Sequence, residues 1–343
     1  MPRKQKAGYC PATSFLGYEP LCTGELPAGC RLCLAGRKAT VFVTGRCTRN
    51  CFYCPVSRED RVYVNGLPVQ SLRALVRRCQ DFLALGAGIT GGEPLLVFRR
   101  TLKVLRALKQ AFGEQFHVHL YTGRLDLRKE ELEQLAGLVD ELRVHPPVYE
   151  RLPQDYLAGL REYFPAVGLE LPALPARAWI RWCLEEVLPC ARELGLFVNL
   201  NELEFTQENA ARLLAQGFKP SFKFPGAVKG SRLAARLVLE RARGLRVHFC
   251  PVYAKDFVQL AHRNIYYWLA RLQSWQAIDY DGTLLELEAS KLREVPPGAV
   301  RVGDKWYVHP KYRELVEEGR LLRWLPPRIL VEELPVKHGQ LSK

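Results

Sequence analysis

Three cysteines in one short loop constrain this chain more than any other feature of its sequence. Cys47, Cys51 and Cys54 have C-x3-C-x2-C spacing and follow an apolar, β-branched run, residues 39–44, which predicts a strand that ends at Gly45. Such a loop can supply three thiolates to a 4Fe–4S cluster, whose four irons usually take four. The remaining iron would then be open to a reactant. A zinc knuckle or a chance group of cysteines is the alternative.

A second motif follows the next predicted strand, residues 86–90, as Gly91-Gly92-Glu93. With the cysteine loop and the aromatic Tyr53 before its last cysteine, this motif resembles the radical S-adenosylmethionine (radical SAM) enzymes. The resemblance implies that Cys47, Cys51 and Cys54 are the catalytic, cluster-binding residues. The open iron would be chelated by the amino and carboxylate groups of SAM. One electron from the cluster would then split SAM into methionine and a 5′-deoxyadenosyl radical, which abstracts hydrogen from a substrate.

The resemblance also implies roles in binding SAM. Gly91, Gly92 and Glu93 would hold its methionine end, with Glu93 pairing the ammonium group, and Tyr53 would contact the adenine region. Polar residues where other predicted strands end are further candidates for ribose, carboxylate or substrate contacts, because reactive groups of such folds lie at the carboxyl ends of strands. These candidates are Thr122, Glu170, Asn199 and Asn201.

Within that superfamily, the chain is similar to archaeal proteins of unassigned role that are related to pyruvate formate-lyase activating enzymes. The likeness rests on the segments Gly29–Cys33, Phe42–Gly45, Ile89–Leu96, Phe116–Thr122 and Asn199–Phe205. It is specific for cofactor chemistry and implies no particular substrate.

Strand and helix patterns alternate along the middle of the chain, which predicts an α/β fold with a parallel sheet. With the resemblance, the fold class is a partial (β/α)6 TIM-like barrel of the radical SAM type, with a Cys-rich N-terminal segment and a small α+β C-terminal module. Asp281-Gly282 predicts a hairpin in that module. The predicted domains are 1–38, 39–273 and 274–343. The predicted barrel strands are 39–44, 86–90, 115–121, 139–145, 166–171 and 195–200, and a further strand is expected at 245–249.

Cysteines outside the loop fall into two groups. Cys79, Cys183 and Cys190 lie on apolar helical stripes, which predicts burial. Residues 1–38 are rich in proline and glycine and carry four cysteines, Cys10, Cys22, Cys30 and Cys33, the last two as C-x2-C. A segment too short for its own core can be held together by a four-thiolate metal site. Zinc and an auxiliary iron–sulfur cluster are both consistent with the spacing, and so is ligation by only some of the thiols.

The composition limits which cellular compartment and which binding partners are expected. The 343 residues carry a net charge of +14, and the segment 218–229 mixes lysines with aromatic residues. RNA is therefore one hypothesis for a partner, and a solvated basic surface is the other. Eleven cysteines without a recognisable signal peptide or membrane-spanning run lead us to expect a cytoplasmic protein that uses them for metal rather than for disulfides. Oligomeric state is open.

Four functions remain open on the sequence. The first is a radical SAM enzyme that modifies a macromolecule, RNA or protein. The second is an activating enzyme that installs a radical on a protein partner, and the third acts on a small molecule. The fourth is a non-catalytic, metal-stabilised RNA-binding protein. Each of the three enzymatic hypotheses requires a reductant protein, such as ferredoxin or flavodoxin, to supply the electron.

Overall fold

The computed structural model describes residues 8–9, 21–224 and 226–337, so Cys10 lies outside the described residues. The chain divides into two compact units. One falls within Met1–Leu34 and Lys38–Asp256, and the other within Ala35–Arg37 and Phe257–Lys343. The domain boundaries expected at residues 38 and 273 stay predictions.

The first unit alternates strands with helices. Its strands are β1 (Gly8–Tyr9), β2 (Leu21–Thr23), β3 (Lys38–Phe42), β4 (Tyr63–Val64), β5 (Leu67–Pro68), β6 (Gly86–Thr90), β7 (His117–Thr122), β8 (Glu141–Val144), β9 (Ala166–Ala173), β10 (Phe197–Glu202) and β11 (Val247–Cys250). Its helices are α1 (Ala28–Leu34), α2 (Leu72–Asp81), α3 (Phe98–Phe112), α4 (Lys129–Leu135), α5 (Gln154–Leu160), α6 (Arg177–Trp182), α7 (Leu188–Leu194), α8 (Ala210–Ala215) and α9 (Ser231–Leu239). The six predicted barrel strands all occur, within three residues of their expected bounds.

These strands form one sheet with the order β1-β2-β11-β10-β9-β8-β7-β6-β3-β4-β5. Every neighbouring pair in the central run β11-β10-β9-β8-β7-β6-β3 is parallel. At the two ends of this run, β2 is antiparallel to β11 and β4 is antiparallel to β3. The parallel part thus has seven strands, because the strand expected at 245–249 joins the predicted six. The helical crossovers between successive strands agree with the predicted α/β alternation.

The two faces of the parallel sheet differ in polarity. Side chains alternate across a strand, and in β7 the apolar set, Val118 and Leu120, is fully buried. The opposite set includes His119 and Tyr121, which lie beside Glu141 and Arg143 of β8 in register. Parallel strands covered on both faces are usually apolar on both. A polar face in this position therefore marks the surface on which a functional site is to be sought.

Helices cover the apolar face, as their stripes predict. Helix α2 begins after Ser71, whose hydroxyl accepts a hydrogen bond from the Ala74 backbone nitrogen at 3.1 Å. Cys79, Cys183 and Cys190 are fully buried, which confirms the sequence prediction. A π-helical turn, Cys183–Val187, separates α6 from α7.

The second unit carries helix α10 (Leu260–Leu269) and an antiparallel sheet. The strands are β12 (Gln276–Ile278), β13 (Leu284–Leu292), β14 (Val300–Val302), β15 (Lys305–Val308), β16 (Val316–Leu325) and β17 (Ile329–Lys337). Strands β12 and β13 pair as the hairpin that Asp281-Gly282 predicts, and Gly282 takes a positive φ of 82°. No helix among the described residues is both long and apolar enough to cross a membrane.

Candidate active site

A cavity of about 360 Å³ opens on the polar face of the parallel sheet. Its wall is built from the loop after β3, the carboxyl ends of the following strands and side chains deeper on the same face. All residues predicted to bind the cluster or SAM line this cavity except Asn199. The sequence thus identified side chains that the fold brings together from strands far apart in the chain.

The three cysteines of the loop face this cavity. Cys47, Cys51 and Cys54 are partly exposed and free of disulfides. Burial raises the pKa of the Cys54 thiol above its usual value. The backbone nitrogen of Cys54 donates to the Cys51 carbonyl oxygen at 3.1 Å, which folds the end of the loop into a tight turn. The thiols are therefore accessible from the cavity, as ligands to an incoming metal group must be.

Side chains from outside the loop fix its backbone. Arg212 of α8 donates to the carbonyl oxygens of Cys51 and Cys54, at 3.0 and 3.2 Å. Arg58 donates to the Cys47 carbonyl oxygen at 3.1 Å. Asn209 donates to the Tyr53 carbonyl oxygen at 3.0 Å. These bonds orient the loop through its backbone oxygens, and the Cys47 sulfur accepts a further bond from the Arg49 backbone nitrogen at 3.4 Å. A loop whose backbone is fixed by its neighbours has the preorganisation that cluster binding needs.

The glycines after β6 lie directly against the start of the cysteine loop. The backbone nitrogen of Gly92 donates to the Thr44 carbonyl oxygen, and that of Glu93 donates to the Arg46 carbonyl oxygen, both at 2.7 Å. A Cβ atom on Gly91 would lie 2.2 Å from the Thr44 oxygen, and one on Gly92 would lie 2.3 Å from the Arg46 oxygen. Only glycine permits this approach. The segment Gly91–Glu93, called the glycine wall below, therefore packs directly against the cysteine loop.

Glu93 is buried and its carboxylate is already engaged. One oxygen, Oε1, accepts from Thr122 Oγ1 and from the Leu95 backbone nitrogen, each at 2.9 Å. The other, Oε2, accepts from the Gly123 backbone nitrogen at 2.6 Å. Glu93 therefore also caps the short 3₁₀ turn that follows it and joins β6 to the end of β7. The carboxylate retains lone-pair capacity for an ammonium group in the cavity.

A relay of hydrogen bonds connects Tyr53 to β9. Burial lowers the pKa of His145, so its ring is neutral at neutral pH. Its Nδ1 donates to the Glu170 carbonyl oxygen at 2.7 Å, which leaves Nε2 to accept from the Tyr53 hydroxyl at 3.0 Å. The aromatic residue of the cysteine loop is thereby held over the edge of the sheet. His145 was not among the predicted site residues.

Glu170 is the centre of a polar network in the cavity wall. Its Oε1 accepts from Asn199 at 2.6 Å and from Asn201 at 2.5 Å, and its Oε2 accepts from Arg143 at 3.2 Å. Asn199 also accepts from His248 at 2.6 Å. Asn201 faces the cavity, whereas Asn199 lies among these buried groups and not in the lining. The structure therefore gives Asn199 a role in positioning Glu170 rather than in direct contact with a ligand.

Arg143 is fully buried between two carboxylates. It forms ion pairs with Glu141 and Glu170 and donates to the sulfur of Cys30 at 3.1 Å. The Gly29 backbone nitrogen donates to Glu141 at 3.1 Å, so helix α1 is attached to the polar face of the sheet. Burial raises the pKa of the Cys30 thiol to about 11, and Arg143 opposes this shift without cancelling it. Cys30 is therefore a protonated thiol at neutral pH.

These contacts bear on the metal site predicted at the N-terminal cysteines. Cys22 and Cys30 pack in one apolar cluster with Leu26, Leu34 and Ala254. Within 8–9, 21–224 and 226–337, no group of three or more His, Cys, Asp or Glu side chains is arranged to hold a metal ion. With Cys10 outside those residues, a site at Cys10, Cys22, Cys30 and Cys33 stays a prediction, and the contacts of Cys30 do not favour it.

The residues of the cavity fit a cluster with SAM. A 4Fe–4S cluster binds each thiolate through a different iron, so its ligands need not converge on one point as the ligands of a single ion do. The thiols of Cys47, Cys51 and Cys54 are accessible from the cavity on a loop whose backbone is held by neighbouring side chains, so they could each bind a different iron. The glycine wall beside them presents backbone at close range, and Glu93 supplies a carboxylate within that wall. The three thiols and the glycine wall with Glu93 therefore agree with the cluster and SAM chemistry that the two motifs imply.

Sequence reasoning missed several side chains of the site. Arg49 donates to the carbonyl oxygens of His145 (2.6 Å) and Gly123, and so connects the cysteine loop to β7 and β8. Its place inside the motif, between Cys47 and Cys51, was the available signal. Lys38 and Tyr121 line the deeper part of the cavity. Their signal was alternation along β3 and β7, where they share a face with other cavity residues.

The predicted RNA contacts find no comparable support. Part of the basic charge on which the RNA hypothesis rests is paired within the unit: Arg100 pairs with Asp60 at 2.5 Å, and Lys109 pairs with Asp140 at 2.8 Å. Phe218, one of the aromatic residues of segment 218–229, stacks on Phe52 of the cysteine loop at 5.8 Å. RNA binding stays a prediction.

Comparison with characterised families agrees with the site. The model of the radical SAM superfamily matches residues 41–148, which include the cysteine loop and the glycine wall. A protein of Methanocaldococcus jannaschii named "Putative glycyl-radical enzyme activating enzyme" is 35% identical over 279 residues, and the match covers 76% of this chain and 72% of the relative.

Two further likenesses are more limited. The GTP 3′,8-cyclase of Nitrobacter hamburgensis is 38% identical over 76 residues, which is 21% of either chain. The solved radical SAM methyltransferase TsrM of Kitasatospora setae is 15% identical and matches 69% of this chain and 53% of its own. Its TM-score is 0.37, which is too low to establish a shared fold.

Proposed function

This chain belongs to the radical SAM superfamily and is a radical SAM enzyme, and from that premise we propose that it abstracts a hydrogen atom from a small polar molecule enclosed in the cavity. Cys47, Cys51 and Cys54 would hold the 4Fe–4S cluster. Gly91, Gly92 and Glu93 would hold the methionine part of SAM. We also propose that the parallel sheet is the curved partial barrel of this superfamily.

The cofactors supply the radical chemistry. With one electron from a reductant such as ferredoxin or flavodoxin, a cluster held by Cys47, Cys51 and Cys54 and SAM held by Gly91, Gly92 and Glu93 would supply a carbon-centred radical for hydrogen abstraction, with methionine and 5′-deoxyadenosine as the products. The protein orients the reactants and excludes water. Tyr53, whose hydroxyl is fixed by His145, would contact the adenine region, and Thr122 would position Glu93 through their 2.9 Å hydrogen bond.

The polar composition of the cavity wall carries the proposal for a small substrate. Its lining has three cationic side chains and four carboxylates: Lys38, Arg49 and Lys255 against Glu93, Glu170, Glu202 and Glu204. A polyanion such as RNA requires an excess of positive charge to offset its phosphates. A wall of mixed charge instead suits a compact molecule with its own polar groups.

A second candidate function is activation of a protein partner by forming a radical on it. The observation that favours this function is the 35% identity to a relative that bears an activating-enzyme name. In that case a segment of the partner would have to enter the cavity. Addition of a partner protein, rather than a small-molecule fraction, would then stimulate SAM cleavage.

The first experiment measures 5′-deoxyadenosine. The protein is reconstituted anaerobically with iron and sulfide, then incubated with SAM and dithionite. We expect 5′-deoxyadenosine to form and Cys47→Ala to abolish it, because that variant removes one of three cluster ligands. Fractions of cell extract, separated into small molecules and protein, are then added to see which of them stimulates the reaction.

The matched control is Cys79→Ala, which removes a fully buried thiol of α2. It should retain the iron content and the reaction. Iron and zinc are quantified in the same samples, and Cys30→Ala should leave both unchanged if the N-terminal cysteines hold no metal. Absence of 5′-deoxyadenosine from wild-type protein with an intact cluster and every fraction present would contradict the proposed function.

A further inference from the structure

Two lysines line the cavity, and they differ in their partners. Lys255 forms an ion pair with Glu204 at 3.2 Å. Among the described residues, the Lys38 side chain forms no ion pair, and its Nζ makes one hydrogen bond, with Nε2 of His119 at 3.3 Å. The positive charge of Lys255 thus has a carboxylate beside it, while that of Lys38 does not.

The surroundings of Lys38 keep it charged and aimed at the cavity. Burial has the largest single effect and lowers the pKa of Lys38, but Cys33, Tyr121 and Cys30 raise it, and the net shift is upward. Burial, with Lys38 and Arg143 nearby, holds the pKa of His119 well below its usual value. His119 is therefore a neutral acceptor that takes one of the three ammonium protons. Two N–H groups of Lys38 remain for a ligand.

The position of Lys38 defines the floor of the cavity. It is the first residue of β3, and it shares a face with Thr40 and Phe42, which also line the cavity. Phe42, at the other end of the strand, is four residue steps from Lys38, which is about 13 Å of extended chain. The cysteine loop begins just beyond that end. The cavity therefore has a thiol-lined mouth and a cationic floor.

Other cations near the floor are already committed. Arg143 divides its N–H groups among Glu141, Glu170, Cys30 and the Tyr121 hydroxyl, the last at 3.4 Å. It neutralises the Glu170 carboxylate in the wall and leaves little capacity for a ligand. Lys38 is thus the cation on the floor that has donors to offer.

We propose that Lys38 binds an anionic group of the substrate, a carboxylate or a phosphate, and so anchors the substrate with its reacting carbon toward the cysteine loop. The inference rests on the proposed function and adds the substrate class to it. An ammonium with two free donors in a cavity of low dielectric binds an anion strongly. A substrate anchored by one end would also expose a defined carbon at the other, which hydrogen abstraction requires.

The test uses the reconstituted holoenzyme with SAM bound, under anaerobic conditions and at constant ionic strength. Its thermal-unfolding midpoint is followed against increasing inorganic phosphate, butyrate or the uncharged butyramide, since a ligand of the folded state raises the midpoint. The variants are Lys38→Gln, which removes the charge, and Lys38→Arg, which keeps it. Lys129→Gln, whose side chain is 73% exposed, controls for general loss of charge.

We expect phosphate or butyrate to raise the midpoint saturably in the wild type, in Lys38→Arg and in Lys129→Gln, but butyramide to have no such effect. Lys38→Gln should require an anion concentration at least about tenfold higher for the same rise in the midpoint, because a hydrogen bond to a charged group contributes more than a factor of ten in affinity. A response to phosphate alone indicates a phosphorylated substrate, and one to butyrate alone indicates a carboxylic acid. Either response supports the anchoring role.

A second measurement needs only the wild type. Acetic anhydride should modify Lys38 more slowly when the effective anion is present, with Lys129 unaffected, as mass spectrometry can quantify. Failure of both anions to shift the midpoint, or an unchanged response in folded Lys38→Gln, would overturn the proposal. Formation of 5′-deoxyadenosine by the same wild-type preparation separates that failure from a failure of the proposed function.

Discussion

Two thiol-bearing regions adjoin the same polar face of the sheet and have opposite environments. At the mouth of the cavity, Cys47, Cys51 and Cys54 are partly exposed, and arginine side chains bind the carbonyl oxygens of their loop rather than the sulfurs. On the same face, Cys30 of α1 is buried and its sulfur accepts from Arg143.

The difference teaches what makes a cysteine available to a metal group in this molecule. Burial keeps the Cys30 thiol protonated, and the arginine beside it is occupied by two carboxylates. A metal ligand must instead be a thiolate that an incoming ion can reach. The two regions therefore differ in whether their sulfurs are accessible from the cavity, and the following changes test that difference.

The largest effect is expected from Arg143→Gln in the interior. Loss of the guanidinium leaves the carboxylates of Glu141 and Glu170 buried without their cation, which costs about 3 kcal/mol or more of unfolding free energy. Chemical denaturation measures this change. The control is Arg73→Gln, at an exposed position of α2, and its unfolding free energy should stay within about 0.5 kcal/mol of the wild type. Equal stability of the two variants would mean that the network does not support the fold.

An intermediate effect is expected from Gly92→Ala at the mouth. Its Cβ would lie 2.3 Å from the Arg46 carbonyl oxygen, so the glycine wall and the cysteine loop must move apart. We expect a loss of about 1–3 kcal/mol in unfolding free energy and weaker binding of SAM by the reconstituted protein. Gly159→Ala in α5, where an added Cβ meets nothing within 4 Å, should do neither. Unchanged SAM binding in Gly92→Ala would separate this wall from the cofactor.

The smallest effect concerns pH and His248 in the interior. Burial lowers its pKa to about 3, so the folded protein keeps it neutral while the unfolded chain takes up a proton below about 6.5. Stability contributed by the neutral ring is therefore present above pH 6.5 and is lost as the pH falls. Between pH 7.5 and 6.0 this loss amounts to about 0.8 kcal/mol.

The variant His248→Gln should lose that share of the pH dependence, because glutamine does not titrate. Denaturation of the cluster-free protein at the two pH values gives the difference. His117, His119 and His145 also have lowered pKa values, but they contribute to both proteins and cancel. An identical pH dependence in wild type and variant would show that His248 is not held neutral by the fold.

Local patterns predicted most of the first unit. Apolar runs such as residues 86–90 are strands because their side chains must be buried between helices, and the stripes that carry Cys79 and Cys183 are buried for the same reason. The π-helical turn at Cys183–Val187 was not predictable, since it depends on how one helix fits its neighbours. The polar face was visible in sequence only as scattered residues, His119 and Arg143 among them.

The sequence by itself determined the cofactor chemistry. Three thiols within eight residues and two adjacent glycines before Glu93 act through local geometry, so their spacing alone is informative. Only the tertiary structure decided which distant side chains meet: it placed Lys38 on the cavity floor, set Asn199 behind Glu170, and enclosed Cys30 with Arg143. The physical reason is that burial and pairing depend on the neighbours that the sheet order supplies, and those neighbours are remote in the chain.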